Sequence, residues 1–107
     1  MQHLSTPELA AWIANSSRQK PVLLDVREPW EFRTCRIDGS FNIPMHTIPG
    51  KLSELDAAQP IVCICHHGVR SLQVGLFLEQ HGFTQVSNLT GGVHAWALQV
   101  DGSMPTY

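Results

Sequence analysis

The chain has 107 residues, of which 43% are hydrophobic and 15% charged, and its formal charge is -2. That is enough chain and apolar content for one small core, and too apolar and weakly charged for a disordered segment. Seven Lys+Arg against nine Asp+Glu also exclude the basic field that drives nucleic-acid binding.

Ser5-Thr6-Pro7-Glu8 reads as a helix start, with a hydroxyl cap, an early proline and a glutamate three residues after the cap. Leu9, Trp12 and Ile13 follow at helical spacing, and Asn15-Ser16-Ser17 ends the element. Val22 to Val26 is a short apolar run, the pattern of a strand buried on both faces. Pro29-Trp30-Glu31-Phe32 reads as one or two helical turns. Ser40 to Ile43, closed by Pro44, is a second short strand, and Ile48 to Leu55 a short helix. Ile61 to Cys65 is the strongest strand, and it runs into the polar His66-His67-Gly68-Val69-Arg70. From Ser71 an apolar helix carries Leu72, Val74, Leu76, Phe77 and Leu78, and Gly82 stops it. Thr84 to Leu89 is a last strand, followed by Gly91-Gly92 and a short helix with Trp96.

Strands alternating with helices predict an α/β domain: a mainly parallel sheet of four to five strands with helices on both faces. One domain is expected over residues 1–107, with 97–107 as a loosely packed tail. No window reaches the roughly 18 apolar residues of a membrane span, and Met1 to Glu8 lacks a basic region followed by an apolar stretch. The expectation is a cytoplasmic protein with neither membrane nor nucleic acid as partner.

The three cysteines, Cys35, Cys63 and Cys65, cannot all pair within one chain, and their density is far below that of a disulfide scaffold. Cys63-Ile64-Cys65 is not a zinc spacing, so no metal site is expected. Cys65 stands where a buried strand ends, a glycine-containing loop follows and a helix starts. The first N–H groups of that helix, the loop N–H groups and the Arg70 cation all favour thiolate over thiol. Cys63, inside the apolar run, reads as a small inert hydrophobe, and Cys35 as an incidental loop thiol.

Cys65-His66-His67-Gly68-Val69-Arg70-Ser71 resembles the active-site loop of the rhodanese (sulfurtransferase) domain, in its C-x-x-G-x-R-S form. Leu24-Asp25-Val26-Arg27-Glu28 with Trp30-Glu31-Phe32 resembles the family's D-V-R-E segment. Ile37-Asp38-Gly39-Ser40, Asn42-Ile43-Pro44, Gly82-Phe83 and Leu89-Thr90-Gly91-Gly92 with Trp96 match its further motifs in order. Arg36 and Cys35 stand where the family usually has His and Gly. The resemblance implies a single rhodanese-like domain in which Cys65 is the catalytic nucleophile. It would accept sulfane sulfur from a small donor, thiosulfate or a persulfide, and pass it to cyanide, a thiol or a protein, with no metal or organic cofactor. His66, His67, Gly68, Val69, Arg70 and Ser71 would form the substrate-binding loop. In thiosulfate-using two-domain members cations occupy the second and third loop positions; here these are His66 and His67, expected to be partly charged near neutrality.

Two other readings stay open. One is a dedicated sulfur carrier or binding module. The other is a phosphatase or arsenate reductase of related architecture, disfavoured because their loops space Cys and Arg one residue further apart than Cys65 and Arg70. Asp25 and Glu28 are candidates to orient Arg70, although an ordinary loop or cap role suits them equally, and Arg27 reads as structural. Gly91-Gly92 reads as a turn rather than a phosphate loop. Trp12, Trp30 and Trp96 are expected to fill core, and His3, His46, His81 and His94 to be surface or packing residues.

Overall fold

In the computed structural model, which describes residues 1–107, the chain starts with a strand, β1 (Gln2–Leu4), and enters α1 (Thr6–Ala14). There follow β2 (Val22–Asp25), α2 (Pro29–Thr34), β3 (Phe41–Asn42) and a 3-10 helix (Met45–Glu54). The second half carries β4 (Ile61–Ile64), α3 (Val69–Gln80), β5 (Val86–Leu89) and α4 (Gly92–Gln99). The Ser5–Glu8 box forms as the sequence dictates: Glu8 N–H donates to Ser5 Oγ (3.2 Å) and Ser5 N–H to Glu8 Oε1 (2.8 Å).

All five strands run parallel in the order β1-β5-β4-β2-β3. Strand side chains alternate between faces. Leu24, Val26, Cys63 and Cys65 therefore pack with Val74 and Leu78 of α3 and with Ile48. Leu23, Val62, Ile64 and Leu89 pack with Leu9 and Trp12 of α1 and with Val93 and Trp96 of α4. Cover on both faces is why β4 reads as an unbroken apolar run and β2 as one as far as Leu24. No helix is long and apolar enough to cross a membrane.

Several expectations change. Strand β1 is too short and mixed to show a periodicity, and pairing with β5 through Leu4 opposite Leu89 defines it. The helix expected from Ser71 begins at Val69, because Gly68 turns the backbone at φ +108°. The expected helix over Ile48–Leu55 is a 3-10 helix from Met45 that contains Pro49. Trp30 is 55% exposed rather than core. Cys35 is buried, packed with Ile37 and Val62. Beyond Ala97, α4 continues to Gln99, Met104 packs on the α1–α4 core, and Tyr107 reaches the loop after β4.

Candidate active site

Parallel strands bring their carboxyl ends to one edge of the sheet, where ligands bind in such folds. Here that edge gathers Asp25 at the end of β2 with Arg27 just beyond it, Cys65 after β4, and Asn88 to Gly92 at the end of β5. The loop after Cys65 is fastened to α4 by that helix's otherwise unpaired first N–H groups. Val93 N–H donates to the Cys65 carbonyl (3.0 Å) and His94 N–H to the His66 carbonyl (3.1 Å). Only glycine fits between them: Gly92 has φ +59°, and a Cβ there would land on the carbonyls of Cys65 and His66.

The Cys65 side chain is buried at 1% exposure. Two donors or donor-acceptors meet its sulfur. Gly68 N–H donates to Sγ (3.0 Å), and Ser71 Oγ lies 3.2 Å from Sγ. Of the loop N–H groups, Gly68's is the one that reaches sulfur. Its φ of +108° aims it there, and a Cβ at Gly68 would press on Gly91 N and the Leu89 carbonyl at 3.3 Å. The Ser71 hydroxyl donates to Asn88 Oδ1 (2.5 Å), while Asn88 Nδ2 donates to the Gly68 carbonyl (3.1 Å). One buried amide thus holds both groups that touch the sulfur. Ser71 has a single proton, so while Asn88 takes it, the thiol donates to Ser71 Oγ; swung toward Cys65, the hydroxyl donates to a thiolate.

Arg70 is oriented by Glu31, a residue the sequence reading passed over in favour of Asp25 and Glu28. Its Nη1 and Nη2 donate to Glu31 Oε1 (2.7 Å) and Oε2 (2.9 Å). Glu28 N–H and the Tyr107 hydroxyl complete the carboxylate's partners at 3.0 and 2.7 Å. The Arg70 pair, against the opposing effect of burial, holds the Glu31 carboxyl down at about 2, and the same pair raises the Arg70 guanidinium above its ordinary value. Asp25 instead joins Arg27 in a fully buried pair, with Nη2–Oδ2 2.7 Å and Nε–Oδ1 2.9 Å. Arg27 also donates to the Cys35 carbonyl (2.7 Å) and the Tyr107 hydroxyl (2.8 Å), so it is structural and ties β2 to the segment after α2. Burial pushes the Tyr107 phenol up to about 12, which keeps it a donor to Glu31 at neutral pH.

At the mouth, His66 lies flat against Tyr107, with centroids 4.0 Å apart and planes at 9°, and its ring meets that of His67 at 3.9 Å with the planes tilted by 35°. Burial first, and then the charge of His67, lowers His66 from its ordinary value. His66 therefore carries less positive charge near neutrality than the sequence reading expects. His94 belongs to this group too, with centroid distances of 5.9 Å to His66 and 5.0 Å to His67. Val69, by contrast, points outward at 67% exposure. Cys63 is fully buried, and burial pushes its thiol up to about 12.

Glu31, Asn88, Tyr107 and His94 are thus the members that the sequence reading missed. Two carried a signal. Glu31 sits three residues after Glu28 on a helix's first turn, and Asn88 is an amide one residue from the carboxyl end of the last strand. Tyr107 and His94 carried none.

Residues 6–99 match the family model described as the rhodanese-like domain. The chain belongs to the rhodanese-like domain family. It is 40% identical over 76 residues to a protein named sulfurtransferase from Allochromatium vinosum, covering 71% of each chain. It is 32% identical over 95 residues to thiosulfate sulfurtransferase GlpE of Shewanella oneidensis, covering 89% of this chain and 91% of that one. A rhodanese-like domain protein from Staphylococcus aureus superposes with a TM-score of 0.85 at 31% identity, over 100% of this chain and 99% of that one.

Proposed function

We propose that this rhodanese-like domain is a sulfurtransferase that carries sulfane sulfur on Cys65. The observation that carries the reading is the convergence of Gly68 N–H and Ser71 Oγ on one buried sulfur at the end of β4. The Gly68 N–H is fixed before reaction and stabilises charge on that sulfur without reorganisation, and Ser71 adds a second donor once its hydroxyl turns to the thiolate. The names of the similar proteins from Allochromatium and Shewanella support the same reaction class.

The Cys65 thiolate attacks the sulfane sulfur of thiosulfate. The sulfur–sulfur bond of the donor breaks, and sulfite leaves with its electron pair. Cys65 is then a persulfide. An acceptor such as cyanide, a thiol or a protein thiolate attacks the outer sulfur and takes it, and the thiolate returns. A persulfide donor enters the same cycle with a thiolate as leaving group. Two half-reactions through one covalent intermediate predict ping-pong kinetics.

His66, His67, Gly68, Val69, Arg70 and Ser71 make the donor-binding loop in this reading. Gly68 supplies its N–H and Ser71 its hydroxyl. Val69 contributes backbone at the start of α3, and His66 and His67 line the entrance. Arg70 works through its pair with Glu31, which leaves the remaining guanidinium N–H groups for an incoming anion. The spacing of Cys65 and Arg70, one residue shorter than in the related phosphatase and arsenate reductase loops, supports sulfur over phosphorus. The test is thiocyanate formation from thiosulfate and cyanide. Wild type should turn over with parallel double-reciprocal lines, and Cys65→Ser should not; turnover by Cys65→Ser would overturn the assignment.

A further inference from the structure

We infer that His66, His67 and His94 form a binding site for a borderline transition-metal cation, Zn2+ or a chemically similar ion, at the mouth beside Cys65. One ring nitrogen from each of the three lies within 4.8 Å of the other two. The backbone imposes this meeting: His66 and His67 are consecutive in the loop, and the His94 N–H bond to the His66 carbonyl docks α4 against it.

A second observation points to a ligand. His66 Nε2 and His94 Nδ1 are buried and have no hydrogen-bond partner in the protein. Buried polar side-chain atoms nearly always have a partner, and here two unpartnered ring nitrogens come from neighbouring members of one cluster. A ring nitrogen without its proton needs a proton donor or a metal, and one with its proton needs an acceptor; neither nitrogen finds either in the protein. Around this cluster the nearest aromatic, Tyr107, presents its ring face to His66 and spends its hydroxyl on Glu31.

The donor set selects the cation. Three imidazoles without a carboxylate suit Zn2+, Cu2+ or Ni2+ and not Mg2+ or Ca2+. Zn–N bonds of about 2.0–2.1 Å in tetrahedral geometry place the nitrogens roughly 3.4 Å apart. His67 is exposed, and rotation of its ring closes the remaining gap, while stacking on Tyr107 already holds His66. Three protein ligands leave one coordination position for an exogenous ligand, as in open rather than structural zinc sites. The proposed sulfur cycle routes no step through this ion, which would share the mouth that His66 and His67 line.

The experiment is titration of the full chain with Co2+ as a spectroscopic probe under anaerobic conditions. Zn2+ affinity is then measured by competition with a chromophoric chelator. Wild type should bind one equivalent and show the intense visible bands of four-coordinate Co2+, without a thiolate charge-transfer band. His94→Gln and, separately, the exposed His67→Gln should each weaken Zn2+ binding by more than about tenfold, with circular dichroism checking that both fold. Cys65→Ser should bind like wild type. Absence of stoichiometric binding, affinity unchanged in both histidine variants, or affinity lost in Cys65→Ser would each overturn the proposal. Because Cys65→Ser removes sulfur transfer and leaves the imidazoles, failure of the metal site and failure of the sulfurtransferase reading are separately visible.

Discussion

Arg70 and Glu31 are joined by two parallel hydrogen bonds, 2.7 and 2.9 Å long, across 39 residues of chain. The pair locks the start of α3 to α2, and so fixes the far end of the loop that follows Cys65. Bidentate charge-assisted pairs of this kind are the strong ones.

The pair makes acid stability a readout of Glu31. Its carboxyl takes a proton at about 2 in the folded chain, against 4.5 for the ordinary group. Between those values the unfolded state binds more protons. Stability from this group is therefore complete above about 4.5 and is lost as pH falls toward 2. With the Arg70 side chain 35% exposed and Glu31 buried, solvent screening brings the contribution to about 2–3 kcal/mol. Urea unfolding at pH 7, 4 and 2.5 should show this loss in wild type, and Glu31→Gln should flatten it while being less stable at pH 7. An equally steep acid limb in Glu31→Gln would assign the loss to other carboxylates.

Ser71→Ala removes the hydroxyl that touches Cys65 Sγ, and Asn88→Ala releases both Ser71 and the Gly68 carbonyl. A hydrogen bond to a charged group contributes about 1.5–3 kcal/mol, so Ser71→Ala should lower kcat/KM for sulfur transfer by roughly 10- to 100-fold. Asn88 does not touch the sulfur. As a positioning residue, its alanine variant should lower kcat with little change in donor KM, and Asn88→Gln should not restore it, since a longer amide cannot span the same two partners. Steady-state curves for both variants, alongside thermal melts, check this.

Gly92→Ala should destabilise the fold by more than about 2 kcal/mol, because the left-handed backbone and the collision with the Cys65 and His66 carbonyls add up. Gly50, where a Cβ meets nothing within 4 Å, is the contrast: Gly50→Ala should stay within about 0.5 kcal/mol of wild type. Equal melting temperatures for the two variants would refute the close approach of α4 to the loop.

Cys63→Ala should keep sulfur transfer within about twofold of wild type, since its thiol, pushed up to about 12 by burial, offers no thiolate at neutral pH. Its cost is in packing, about 1–2 kcal/mol, for the lost sulfur volume in the core.

The alternation of strands and helices, the two-sided burial of β4 and the placement of Cys65 at its end were all legible, because each depends on local pattern. The motif loop added Gly68 and Ser71. What the sequence did not disclose is tertiary. Glu31 looks like an ordinary cap until α2 packs beside α3. His94 looks like a surface residue until Gly92 lets α4 close on the loop. Tyr107 lies 80 residues from Arg27 and 41 from His66, and no local rule pairs such positions. Cys35 looked like a loop thiol because its neighbours Arg33, Thr34 and Arg36 are polar, but the extended backbone at the end of α2 turns its side chain into the core.

The most direct measurement is the intact mass of the protein after exposure to thiosulfate. Wild type should gain the mass of one sulfur atom and return to its original mass when cyanide is added. Cys63→Ala should do the same, and Cys65→Ser should gain nothing. A stable single-sulfur adduct on Cys65→Ser, or none on wild type with either thiosulfate or a persulfide donor, would contradict the account.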